Sequence, residues 1–143
     1  MRHKGKVQLA FATLAIVYGL TSAHDAEVRE EVTPAFAHPI SNVPGKSLTG
    51  LIVTYPPGGT TPAHRHGQSF VVAHVLEGSI RSQLDTGEAR VYKAGEGWTE
   101  EPGAHHVLSE NASKTEPAKL FAILVAETGA KDLLTFDEQP AKK

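Results

Sequence analysis

The sequence predicts an all-β fold, a sandwich or small barrel, on two observations. Beyond Pro44-Gly45, short runs rich in β-branched and aromatic residues are separated by turn chemistry roughly every eight to twelve residues. Past the first 23 residues, nothing sustains helical periodicity for three turns except a weak pattern after Lys131.

Taken in order, residues 1–23 place Arg2, Lys4 and Lys6 before an apolar run from Val7 to Leu20, and end in Thr21-Ser22-Ala23. That is the layout of an export signal cut after Ala23, and the run is shorter than the roughly 20 residues a bilayer-spanning helix needs. Residues 24–45, polar and broken by Pro34 and Pro39, read as an arm or irregular edge segment. Strands are expected at Ser47 to Tyr55, Ala63 to His66, Ser69 to Leu76, Ile80 to Leu84, Ala89 to Tyr92, His105 to Ser109 and Leu120 to Ala126. Between them fall the turns Pro56-Pro57-Gly58-Gly59, Glu77-Gly78, Asp85-Thr86-Gly87, Gly95-Glu96-Gly97 and Pro102-Gly103. Residues 46–126 thus form one domain, and 127–143 a C-terminal tail.

Charge and composition narrow the function. Removing Arg2, Lys4 and Lys6 from 14 basic residues leaves 11 against 16 acids, a formal charge of −5. A net negative chain without a basic, aromatic-laced patch is a poor partner for nucleic acid. There is no cysteine, so neither disulfides nor thiol chemistry enter, and core burial alone must hold the domain. The expected location is the periplasm or the extracellular space, with no membrane span after cleavage.

Two segments carry chemistry. In "GTTPAHRHGQSFVVAHVLEG" a strand would send His64 and His66 to one face and Arg65 to the other. In "GEGWTEEPGAHHVLSEN" two adjacent histidines, His105 and His106, would face opposite sides of a regular strand. Both segments resemble the motifs of the cupin superfamily. Its first motif runs glycine, five residues, His-x-His, three or four residues, glutamate, six residues, glycine. Five residues separate Gly58 from His64, and the gap from His66 to the closing glycine is near the family's. The second motif's histidine corresponds to His106, three residues after Gly103, while Asn111 comes one position late and Pro102 abuts Gly103. The likeness spans roughly Lys46 to Ala126.

The resemblance implies a jelly-roll β-barrel in which His106 joins His64 and His66 around one divalent metal ion, Fe, Mn, Zn, Ni or Cu. Three imidazoles with open positions suit any of these. The sequence departs from the family where its glutamate should fall, at Phe70 or Val71. Without that carboxylate the site would be cationic and favour anionic or enolate-like ligands. Gln68, on the parity of the histidine pair unless Gly67 breaks the strand, and Gln83 are the amides that could serve as a fourth ligand or touch a substrate. His105 remains the alternative third ligand.

Other residues read as structure. His74 is expected to be a packing histidine. Phe70, Val71, Val75, Leu84, Trp98, Phe121 and Ile123 are expected to be core or cavity lining, and Glu100-Glu101 a solvated turn. Asn111-Ala112-Ser113 fits a glycosylation acceptor, a triplet common by chance. The resemblance implies either a three-histidine metal dioxygenase, an oxidoreductase acting on a small organic molecule, or a non-catalytic module that binds a metal or small ligand for sensing or storage. It also implies a homodimer paired through sheet edges.

Overall fold

Side-chain alternation builds two facing sheets. The structure, a computed structural model, describes residues 28–138, so the expected signal segment and its cleavage site lie outside the described residues. Among these are eleven strands and no helix: β1 (Glu31–Pro39), β2 (Lys46–Tyr55), β3 (Thr60–Thr61), β4 (His64–Arg65), β5 (Phe70–Glu77), β6 (Ser79–Leu84), β7 (Arg90–Lys93), β8 (Gly97–Glu100), β9 (His105–Asn111), β10 (Ala118–Glu127) and β11 (Thr135–Phe136). One sheet runs β1-β2-β10-β5-β8; the other runs β11-β4-β9-β6-β7, with β3 also paired to β9. No helix here is long and apolar enough to cross a membrane.

β10 shows how sequence becomes packing. Ala118, Leu120, Ala122, Leu124 and Ala126 are buried while the residues between them are only partly so, the period of two expected when one sheet face meets a core. Its neighbours β2 and β5 add Val53, Tyr55, Ala73 and Val75, and Ile80 closes the cluster from the opposite sheet. A second cluster joins Val71, Ala122 and Leu124, with Leu51 and Leu133 packed against it. Several inner positions are alanine, too small to fill the space between the sheets, and a cavity remains.

The same alternation corrects several expectations. Phe121 and Ile123 occupy the outer parity of β10; Phe121 meets Phe36 edge-on, ring centroids 6.1 Å apart, on the outside of the sheet. Phe70 likewise lies on the outer parity of β5, half-buried. His74, expected to pack, is exposed because it falls between the inward Ala73 and Val75. Of the two readings of the N-terminal segment, an arm or an irregular edge segment, residues 31–39 take the second, an edge strand paired along its length with β2. Its prolines are tolerated because an edge strand has one side free of the ladder, and the register shifts between Pro34 and Phe36. In the tail no helix forms among the described residues; Thr135 and Phe136 pair with β4 instead.

Asn111 is buried, and its amide is fully committed: Nδ2 donates to the carbonyls of Pro56 (3.1 Å) and Glu116 (2.7 Å), and Oδ1 accepts from Ser113 N (2.8 Å). It locks the loop between β9 and β10, a role that leaves no accessible amide for a glycan.

Candidate metal centre

The first histidine segment is short, and its geometry is set by what holds it. β4 pairs with β9 so that His64 sits opposite His106, and Arg65 opposite His105. Directly opposed residues share a face, which turns His64 and His106 inward and Arg65 and His105 outward. His106 is therefore the histidine at the cavity, and His105 bonds outside it to Asp137 Oδ2 at 2.8 Å. Beyond β4 the chain turns at Gly67, whose φ of 55° favours glycine and where a Cβ would overlap Asp132. Gly67 O accepts from Gly103 N (2.8 Å) and Arg65 Nη1 donates to Gly103 O (2.8 Å), tying the two histidine segments together.

The three imidazoles meet at the cavity wall. Ring centroids of His64 lie 4.8 Å from both His66 and His106. One nitrogen from each ring falls within 4.8 Å of the others, a group able to hold a metal ion. Two donors about 2.1 Å from one ion can be at most ~4.2 Å apart, so the widest pair needs to close by only about half an ångström. Backbone carbonyls also prepare the donors. His64 Nδ1 bonds Pro62 O (2.8 Å) and His66 Nδ1 bonds Leu133 O (2.7 Å). A carbonyl only accepts, so each Nδ1 carries the proton and each Nε2 keeps a lone pair for the site. On His106, Nε2 meets Ser82 Oγ at 2.8 Å, and Nδ1 faces the cavity. The donor set fits a divalent metal.

Both amides proposed from sequence lie elsewhere. The turn at Gly67 breaks the strand parity, leaving Gln68 exposed and off the cavity lining, and Gln83 donates to Gly87 O (2.8 Å) to brace the turn after β6. In their place the structure brings Glu100. Expected in a solvated turn, it is the last residue of β8, ladder partner of Val71, and 3% exposed. Only Glu101 is solvated. Glu100 Oε1 lies 3.2 Å from His106 Nδ1 and accepts from Trp98 Nε1 (3.1 Å), while Oε2 lies 3.8 Å from His66 Nε2. The signal in the sequence was Trp98 and Glu100 at i and i+2, an inward pair that becomes legible once residues 97–100 are taken as a strand. Trp98, half-buried, packs against Tyr92 and the His106 ring.

The cavity beside these residues has a volume of about 250 Å³. Leu51, Val53, Val71, Leu120 and Leu124 give it aliphatic walls, and Leu133 and Leu134 of the tail close on it from one side. At the floor the buried Tyr55 hydroxyl bonds Thr61 Oγ1 and Ser109 Oγ, each at 2.8 Å. Burial pushes the Tyr55 phenol up. Glu30, with its side chain 6% exposed, is a second carboxylate on the lining.

Electrostatics follow from the same burial. Loss of water pulls His64 down to about 4; the Pro62 carbonyl opposes this, and the charges of His106 and His66 add to it. For Glu100, burial alone would raise the carboxyl, but the hydrogen bond and charge of His106, then His66 and Trp98, hold it below the usual range. Between pH 6.5 and 4 the unfolded chain binds a proton at residue 64 that the folded chain refuses. Stability is therefore intact above pH 6.5 and lost as pH falls toward 4, by about 3 kcal/mol in full. Thermal melts of chelator-treated protein should show the melting temperature dropping through that window; a flat profile would contradict the burial of a neutral His64.

A two-sheet barrel with three imidazoles converging on an internal cavity defines a class, the small jelly roll with a candidate metal site. Residues 51–124 match the model of the cupin domain, and the chain belongs to that family. No curated protein sequence matches it. Among solved structures, an oxalate oxidase in complex with glycolate aligns with a TM-score of 0.60 at 21% identity, over 78% of this chain and 57% of its own. This chain thus spans little more than half of that oxidase. A protein with a double-stranded β-helix domain from Klebsiella pneumoniae gives 0.60 at 18% identity, over 80% and 89% of the two chains. An RmlC-like cupin from Methanocaldococcus jannaschii gives 0.53 at 15%, over 83% and 91%. At these identities the likeness is one of fold.

Proposed function

We propose that this chain is an exported single-domain cupin that holds one divalent metal ion through His64, His66 and His106 and takes a small organic molecule into the adjoining cavity. The observation that carries the reading is the pair of backbone carbonyls, Pro62 O and Leu133 O, that fix two imidazoles with their free nitrogens toward the third. Export rests on residues 1–23 of the sequence alone. A cavity of about 250 Å³ lies below the ~300–1,000 Å³ of pockets for drug-sized ligands, and since ~150 Å³ already takes benzene, it suits an oxygen-bearing ligand of roughly ten heavy atoms or fewer.

As an enzyme the chain would be a metal-dependent dioxygenase. A bound metal would supply a Lewis acid for the ligand's oxygen and, as ferrous iron, reducing electrons for dioxygen. The chain's own part is to orient the ligand against the aliphatic wall, exclude water with Leu133 and Leu134, and keep His64 unprotonated at neutral pH. A second reading, a non-catalytic module binding a metal or small ligand, is favoured by the few acid–base groups of the lining: outside the histidines, its titratable side chains among the described residues are Glu30, Glu100 and Tyr55.

Oxygen uptake by the ferrous protein distinguishes the two. Diketones, thiols, oxalate and glycolate form the panel, and the enzyme reading expects uptake that depends on one of them. Stoichiometric iron with no ligand-dependent uptake across the panel would instead shift the weight to the binding module.

A further inference from the structure

We infer that Glu100 is a fourth donor to the metal, a carboxylate delivered by β8. The inference rests on the three-imidazole reading above and changes the chemistry of that site.

Glu100 Oε2 is buried and has no hydrogen-bond partner among the described residues. A carboxylate oxygen stripped of water and given no donor is costly, and buried charges persist where a cation answers them. His66 Nε2, at 3.8 Å from it, is beyond hydrogen-bond reach and is itself a nitrogen with a free lone pair. Two lone-pair atoms aimed at each other across a buried gap repel unless something positive lies between them. The separations suit an ion in that place. Oε2 to His66 Nε2 is 3.8 Å, inside the ~4.2 Å that two donors to one ion can span, and the 3.2 Å between Oε1 and His106 Nδ1 is a hydrogen bond whose proton the ion would replace.

The backbone explains how the carboxylate arrives. Val71 and Glu100 are ladder partners in β5 and β8, so their side chains leave the sheet on the same face, with Cβ atoms about 5 Å apart. The segment after the histidine pair provides only Val71 at that point, and the next strand provides an acid. Trp98, two residues earlier on the same face, fixes the carboxylate by donating Nε1–H to Oε1. A divalent ion with this carboxylate carries a net charge of +1, so the site is less cationic than the sequence alone implied and has one fewer open position for exogenous ligand.

Zinc and cobalt titrations of wild type, Glu100→Gln, Glu100→Ala and Ser82→Ala test the inference, with X-ray absorption of the cobalt-loaded proteins. Ser82→Ala removes an orienting bond from His106 but leaves the carboxylate, and a merely orienting partner costs about 10- to 100-fold in affinity. Glu100→Gln and Glu100→Ala should each lose more than about 100-fold and alter the cobalt spectrum, whereas Ser82→Ala leaves the spectrum unchanged. The double variant Val71→Glu/Glu100→Val, which moves the acid to its ladder partner, should regain affinity over Glu100→Val. If Glu100→Gln matches Ser82→Ala in both affinity and spectrum, Glu100 is a positioning residue and the inference fails while the three-imidazole site stands. If wild type binds neither metal, the site itself fails, and the inference with it.

Discussion

Replacing His64 by alanine should abolish stoichiometric metal binding while leaving a folded barrel. His64 is the central ring of the three, 4.8 Å between centroids from each of the others, and without it the two outer imidazoles and Glu100 are left around a gap, a set too weak to keep the ion through purification. The fold should survive because the lost ring abuts a cavity, and its one hydrogen bond leaves only the Pro62 carbonyl to find another donor. A truncated ring at such a site costs less than a core deletion, which runs to about 2–5 kcal/mol. Elemental analysis of the purified variant, with circular dichroism to confirm the sheet, gives the answer. One metal per chain in the variant would remove His64 from the ligand set.

The largest effect of a substitution on stability is expected at a glycine that bears no ligand atom. Gly97 opens β8 and faces His74 of β5, where an added Cβ would overlap the carbonyl oxygen of Ala73. That neighbour is backbone and cannot swing aside, so Gly97→Ala must push β8 away from β5. Overpacking of this kind costs about 1–3 kcal/mol, occasionally more, and near the upper end the melting temperature should fall by about 10 °C. Because β8 carries Trp98 and Glu100, the same displacement should weaken metal binding. A variant with unchanged melting temperature and unchanged affinity would show that β8 is not held where the ladder places it.

These two residues also mark the limits of reading the chain in one dimension. The histidines were legible because each motif is local: His-Arg-His and Pro-Gly-Ala-His-His announce strand parity and turn within a few residues. The inward side of β10 was half legible, since "LFAILVA" is apolar at every position and only its neighbours decide that Leu120 and Leu124 face in while Phe121 and Ile123 face out. β8 was not legible at all. The five residues between Gly95-Glu96 and Pro102-Gly103 are too few for a strand signal, and the conformation of the first four comes from pairing with β5, some 25 positions earlier. Glu100 was missed with it, because a charged residue beside a turn is ordinarily solvated and only tertiary contact turns this one inward. Gln68 failed for the opposite reason: a parity argument carried through Gly67, where the backbone reverses.

The hydrogen bond from His66 to Leu133 O ties the segment after β10 to the candidate metal centre. Leu133 and Leu134 also roof the cavity, and Phe136 sits edge-on to the His64 ring at 6.1 Å. Peeling residues 132–137 away, by a protease or by a competing strand along β4, would unlatch one imidazole and unseal the chamber together, with both large sheets still closed. The tail is thus a latch whose release would be felt at the ligand atoms before it was felt by the barrel.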